Sequence, residues 1–214
     1  MEIRHKVHNL IILDESGSML SIKPSIIQGF NEIVQTMKGL EKQYPEQDHY
    51  ITLVSFNGLG QKTHLFCQPV KEIGLIDDSK YQPDASTPLL DAMGFSFIKL
   101  KNELENSTDY HVLVTILTDG EENASKEFSG AAIKKLVEEL SMKNWTFTYI
   151  GTDHDVESFA ISVSISNTMT FEKNPEDIKE MFVKENSARM MYNERIRKKE
   201  ETGKGFYTEE NDKS

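Results

Sequence analysis

Residues 7–18 read Val-His-Asn-Leu-Ile-Ile-Leu-Asp-Glu-Ser-Gly-Ser. The run from Val7 to Leu13 is nearly continuous in apolar residues and stops at Asp14, the pattern of a strand covered on both sheet faces. A short polar loop, Glu15 to Ser21, follows. Ile22, Ile26, Ile27, Phe30, Val34, Met37 and Leu40 then recur at helical spacing. Pro24 suits the first turn, where a missing N–H costs nothing.

The same alternation continues along the chain. Tyr50 to Phe56 and Thr63 to Val70 flank the turn signal Asn57-Gly58 and predict an antiparallel hairpin at a sheet edge. Gly74 to Ser86 is irregular. Pro88 opens a helix carrying Leu89, Leu90, Met93, Phe97 and Leu100. Tyr110 to Leu117 is the most hydrophobic strand, and Ser129 is placed to cap the helix of Ile133, Leu136, Val137 and Leu140. Short strands are expected at Thr146 to Ile150 and Thr168 to Phe171, with a helix between them capped by Asp153. Asn174-Pro175 begins a last helix. Strands alternating with helices imply right-handed crossovers. The expected fold is therefore α/β, a three-layer doubly wound, mostly parallel six-stranded sheet with one antiparallel edge strand.

The 214 residues suit one such domain with an appendage. The domain is expected over residues 1–183. Residues 184–214 are expected to be a charged helical extension, with Met190 and Met191 packed on the domain or forming an adaptable face, and a disordered polar tail from Gly203. The net charge of −11 argues against nucleic acid and anionic lipid as partners. Neither an apolar leader nor a membrane-length apolar run is present, and the single cysteine, Cys67, reads as a buried small hydrophobe in a reducing compartment. A cytoplasmic location is expected.

Parallel α/β sheets bind ligands at the carboxyl ends of their strands. After the first strand comes Asp14-Glu15-Ser16-Gly17-Ser18. After the most hydrophobic one comes Thr118-Asp119-Gly120-Glu121-Glu122. Between them Ser86-Thr87-Pro88-Leu89-Leu90-Asp91 opens a helix. These three segments supply carboxylates and hydroxyls, hard oxygen donors that suit Mg²⁺, Mn²⁺ or Ca²⁺ rather than zinc. Glu121, Glu122 and Asn123 flank the expected site and could tune partner choice. His154, between two aspartates, reads more simply as part of a helix start than as a catalytic group.

D-x-S-x-S at Asp14, Ser16 and Ser18, the Thr87 helix start, and T-D-G at Thr118 to Gly120 together resemble the metal-ion-dependent adhesion site of von Willebrand factor A (VWA) domains. The order of strands and helices over residues 7–183 resembles that family too. Within it, the chain is similar to short intracellular bacterial proteins, including those of the tellurium-resistance type, and the resemblance implies an adaptor for stress or signalling partners. The resemblance implies that Ser16, Ser18 and Thr87 give hydroxyl oxygens to Mg²⁺, with Mn²⁺ or Ca²⁺ as alternatives. It implies that Asp14 and Asp119 act through water or by fixing those hydroxyls. Asp91, one turn past Thr87, is assigned an outer supporting role. A partner protein would then present a carboxylate to the metal, and the chain would not be an enzyme. Two alternatives stand beside this reading. One is a Mg²⁺-dependent phosphohydrolase, though no G-x-S-x-G or P-loop motif is present and the D-x-D of Asp153 and Asp155 reads as a helix start. The other is a domain whose metal only braces loops.

Overall fold

The computed structural model describes residues 4–152 and 155–208. Six strands form one sheet: β1 (His5–Asp14), β2 (Gln47–Asn57), β3 (Gly60–Pro69), β4 (Tyr110–Leu117), β5 (Trp145–Gly151) and β6 (Asn167–Thr170). Their spatial order is β3-β2-β1-β4-β5-β6. Every neighbouring pair is parallel except β2–β3 at one edge. The helices are α1 (Lys23–Gln43), α2 (Leu89–Glu103), α3 (Gly130–Ser141), α4 (Val156–Ser162) and α5 (Pro175–Lys198).

Beneath the continuous apolar run of β1 lies an alternation of partners. Leu10 and Ile12 pack into a cluster with α2, α3 and α4. Ile11 and Leu13 pack on the other face with α1 and the start of α5. Helices on both faces explain why this strand shows no polar side in sequence. Because β2 lies on one side of β1 and β4 on the other, the chain changes winding direction between β1 and β4. A crevice opens there at the carboxyl ends of the strands, the usual ligand position in open α/β sheets.

The caps confirm two expectations and correct one. Ser129 accepts from Ala132 N–H and Asn174 from Asp177 N–H, as expected. Asp155 caps α4 by accepting from Ser158 N–H; Asp153 and His154 lie outside the described residues. Cys67 is only half-buried, on a backbone φ of 47° beside a bulge that shifts the β2–β3 register.

The stretch from Gly203, expected to be disordered, is packed as far as residue 208. α5 runs unbroken past residue 184, and Ala188, Tyr192 and Ile196 pack under the sheet on Val7 and Leu113. Phe206 joins that cluster and is 1% exposed, so the chain through residue 208 folds back against the sheet. Two aromatics in an otherwise polar stretch, Phe206 and Tyr207, carry that contact. Met190 is exposed rather than packed. A buried polar core ties the same helix to the sheet. Arg189 pairs with Glu185 at 2.9 Å and donates to Asn9 and Thr115, while the Tyr207 hydroxyl donates to Glu185. Among the described residues, no helix is long and apolar enough to cross a membrane.

Candidate metal centre

The crevice between β1 and β4 is built around two buried carboxylates. Asp14 ends β1 and is fully buried; its Oδ1 accepts from Ser16 N–H at 2.7 Å and its Oδ2 from the Thr118 hydroxyl at 2.6 Å. The first bond turns the chain tightly after the strand, which carries Ser16 and Ser18 over the crevice. The second ties that turn to the loop after β4. Burial pushes the Asp14 carboxyl up to about 6, against the pull of its Thr118 and Ser16 hydrogen bonds, and the nearby Asp119 charge adds to the rise. A cation placed here would relieve that penalty.

Asp119, 1% exposed, stands opposite. Its Oδ1 accepts from the Ser18 hydroxyl at 2.6 Å, and the Ser18 and Ser16 hydroxyl oxygens lie 3.1 Å apart. Its Oδ2 accepts no hydrogen bond but lies 3.1 Å from Lys173 Nζ, an ion pair without hydrogen-bond alignment. Thr87 is 4% exposed and reaches the same place from the third loop. A Cβ built on Gly120 would stand 3.6 Å from Thr87 Oγ1. Asn123 fixes the threonine, since its side chain accepts from Thr87 N–H and its own N–H donates to Thr87 C=O.

A second layer holds the Asp14–Ser18 turn. Tyr81 donates its hydroxyl to Asp14 C=O at 2.6 Å, and Gly17 N–H donates to Ala85 C=O. Burial, and then the charges of Asp14, Asp119 and Glu15, raise the Tyr81 hydroxyl far above its ordinary value, so it remains a donor. Glu15 is 1% exposed and accepts from the Ser55 hydroxyl and from Gln82 N–H, with Lys62 Nζ at 3.4 Å.

Five predicted site residues therefore converge. Asp14, Ser16, Ser18 and Asp119 form one hydrogen-bonded turn system, and Thr87 faces it across Gly120. Among the described residues no three His, Cys, Asp or Glu side chains converge as a metal-binding group; the donors here are mainly hydroxyls. Two oxygens bound in adjacent positions of an octahedral Mg²⁺, each roughly 2.1 Å from the ion, lie about 3 Å apart. The Ser16–Ser18 separation fits that edge.

No protein-family model and no curated protein sequence matches the chain. Solved structures do. The chain is similar to a variant of the PilB minor pilin from Streptococcus sanguinis, with TM-score 0.63 and 13% identity over 91% of this chain. It spans 63% of the length of that pilin. The vWF domain of the type V pili tip protein Mfa5 from Porphyromonas gingivalis matches with TM-score 0.55 and 12% identity, covering 88% of this chain and 96% of that one. The SpRpn10 VWA domain matches with TM-score 0.50 and 10% identity, covering 83% and 93%. The fold is that of a von Willebrand factor A domain.

On this VWA fold, three residues take other roles than those expected. The Asp91 carboxylate is not part of the converging set. It accepts from the backbone N–H groups of Lys126, Glu127 and Phe128, and so anchors the loop leading to α3. Glu122 is likewise occupied, accepting from Leu90 N–H at the start of α2 and from Ala124 and Ser125. Asn123 positions Thr87 through its side chain while remaining, like Glu121, exposed to solvent. Sequence reasoning missed Lys173, Glu15 and Tyr81. Lys173 had one available signal: it follows β6, and loops after parallel strands share one edge.

Proposed function

We propose that this VWA fold is a metal-dependent protein-interaction module. Mg²⁺ would be held by the hydroxyls of Ser16, Ser18 and Thr87, with Asp14 and Asp119 orienting them. The observation that carries this reading is the Ser16–Ser18–Asp119 chain, whose hydroxyl oxygens lie 3.1 Å apart at the β1–β4 crevice beside Thr87. When bound, the ion supplies a Lewis-acidic positive charge at the protein surface. Asp14 holds the loop in place through Ser16 N–H and Thr118 rather than donating an open oxygen. Ser18 is solvent-exposed, so the site faces outward and a carboxylate of a partner protein can reach it. The chain would then act by binding, as an intracellular adaptor of the tellurium-resistance kind, and Mn²⁺ or Ca²⁺ could replace Mg²⁺.

A non-catalytic role has its own support. The described residues include a serine–histidine contact, Ser55 Oγ to His64 Nε2 at 2.7 Å. The Ser55 proton goes to Glu15, so His64 donates to Ser55 instead of abstracting from it. Ser55 is 1% exposed, and the cavity beside it is about 10 Å³, too small for a substrate.

Calorimetric titration of the full chain with Mg²⁺, and Mn²⁺ titration followed by electron paramagnetic resonance, test the reading. One site is expected in the wild type and none in Asp14→Ala. Binding by neither ion would defeat it. Pull-down from cytoplasmic extract, with Mg²⁺ against chelator, then separates an interaction site from a loop brace.

A further inference from the structure

The two buried carboxylates already have a cation of their own. Lys173 belongs to the loop between β6 and α5, and its ammonium lies 3.1 Å from Asp119 Oδ2. Asp119 is fully buried at its side chain, whereas the Lys173 side chain is 25% exposed. β6 stands two strands from β4 in the sheet order, about 10 Å at ordinary strand spacing, so the lysine reaches Asp119 with an extended stem. The oxygen it meets is the one Asp119 oxygen that accepts no hydrogen bond, which leaves that oxygen facing whatever cation the crevice holds.

Resting on the metal-binding reading above, we propose that Lys173 is a tethered cation that competes with the divalent ion and sets its affinity. A monovalent ammonium and a divalent ion cannot both sit against Asp119 without strong like-charge repulsion in a partly desolvated crevice. The ammonium neutralises Asp119 while the ion is away, which keeps a buried carboxylate pair from destabilising the fold. Ion entry drives the lysine outward, an excursion its long stem and partial exposure permit. The loop carrying Lys173 leads directly into α5, whose start is fixed by the Asn174 cap. The exchange therefore alters the charge at the crevice rim, where a partner docks: with the ion seated, Lys173 becomes a second cationic contact for an acidic partner.

The test compares Mn²⁺ affinity, by electron paramagnetic resonance at constant ionic strength, in the wild type, Lys173→Met, Lys173→Arg and Asp14→Ala. Lys173→Met keeps the stem and removes the charge. It is expected to bind Mn²⁺ roughly ten- to a hundred-fold more tightly, the range over which one neighbour of a metal shell changes affinity. Lys173→Arg should bind no more tightly than the wild type. Equal or weaker binding by Lys173→Met overturns the proposal while leaving the metal site standing. No binding by either protein overturns both. A second readout uses the wild type alone, so it survives a Lys173→Met chain that fails to fold. Acylation of Lys173 by a succinimidyl ester, followed by peptide mapping, should accelerate on adding Mg²⁺. A rate indifferent to Mg²⁺ overturns the proposal.

Discussion

Ser18 donates its hydroxyl to Asp119 at 2.6 Å, across 101 positions of sequence, and joins the loop after β1 to the loop after β4. This one bond connects the two halves of the doubly wound sheet at the point where they diverge. Ser18→Ala leaves Asp119 Oδ1 buried without a donor, which costs about 1–3 kcal/mol. Urea denaturation in chelator should show that loss. Ser16→Ala should cost less, because the Ser16 hydroxyl contacts Ser18 and not the carboxylate directly. Equal midpoints for wild type and Ser18→Ala would show that the bond contributes nothing to stability.

The Glu185–Arg189 pair is a second test of buried charge. Both side chains are within 1% of full burial, and Glu185 also accepts from Thr115 and Tyr207. Arg189→Met strands the carboxylate and is expected to destabilise by about 3–5 kcal/mol. Replacing both residues by methionine should recover much of that loss, since removing the whole pair leaves no uncompensated charge. Thermal unfolding of the two single variants and the double variant reads the difference. A double variant no more stable than Arg189→Met would count against this account.

Helix packing supplies a third. A Cβ on Gly29 of α1 would fall 2.0 Å from the Phe182 ring of α5. The glycine lets the two helices approach, so Gly29→Ala must push α5 outward. Overpacking of this kind costs about 1–3 kcal/mol, more than offsetting the better helix propensity of alanine. Gly39 lies on the same helix with nothing within 4 Å of its Cβ position. Gly39→Ala should therefore stabilise slightly, and the opposite signs of the two substitutions are the check.

Acid should weaken the fold through its histidines. Burial lowers His8, His49 and His111 to about 4, from an ordinary 6.5. Between those values the unfolded chain takes up protons that the folded chain refuses, so stability falls as pH drops from about 6.5 toward 4. Asp14 works in the opposite direction. Its raised value, about 6, makes the folded state hold a proton that the unfolded state releases until pH nears 3.8. Three groups against one leave a net loss of roughly 1–3 kcal/mol per pH unit near pH 5, after discounting for the partial exposure of His111. Urea midpoints at pH 7, 6 and 5 in chelator should fall in that order. Midpoints that rise on acidification would show that Asp14 dominates.

How much of this was legible beforehand depends on the range of the interaction involved. Val7 to Leu13, Tyr110 to Leu117 and the cap residues Ser129 and Asn174 announced themselves because their signals are local: apolar runs, helical spacing, side chains that bond a backbone N–H three residues on. The converging site was legible at one remove. Once strands are parallel, the loops after β1 and β4 must share an edge, so Asp14, Ser16, Ser18 and Asp119 could be placed together without coordinates. Asp91 and Glu122 were misread for a related reason. A carboxylate at a helix start looks the same in sequence whether it serves a ligand or a neighbouring backbone, and only the loop at 122–128 decides.

The amino-acid sequence by itself determined the layered α/β architecture and the polar loops that share the crevice, because periodicity and strand-end position are properties of short segments; the resemblance to VWA domains singled out Asp14, Ser16, Ser18, Thr87 and Asp119 within those loops. Tertiary structure alone decided that Lys173 meets Asp119, that Arg189 is buried against Glu185, and that Phe206 returns to the sheet. The first and last of these join segments far apart along the chain, and the Glu185–Arg189 pair, four residues apart on α5, is buried only because that helix packs under the sheet. Their energies depend on burial and distance, and neither exists until the sheet has closed over them.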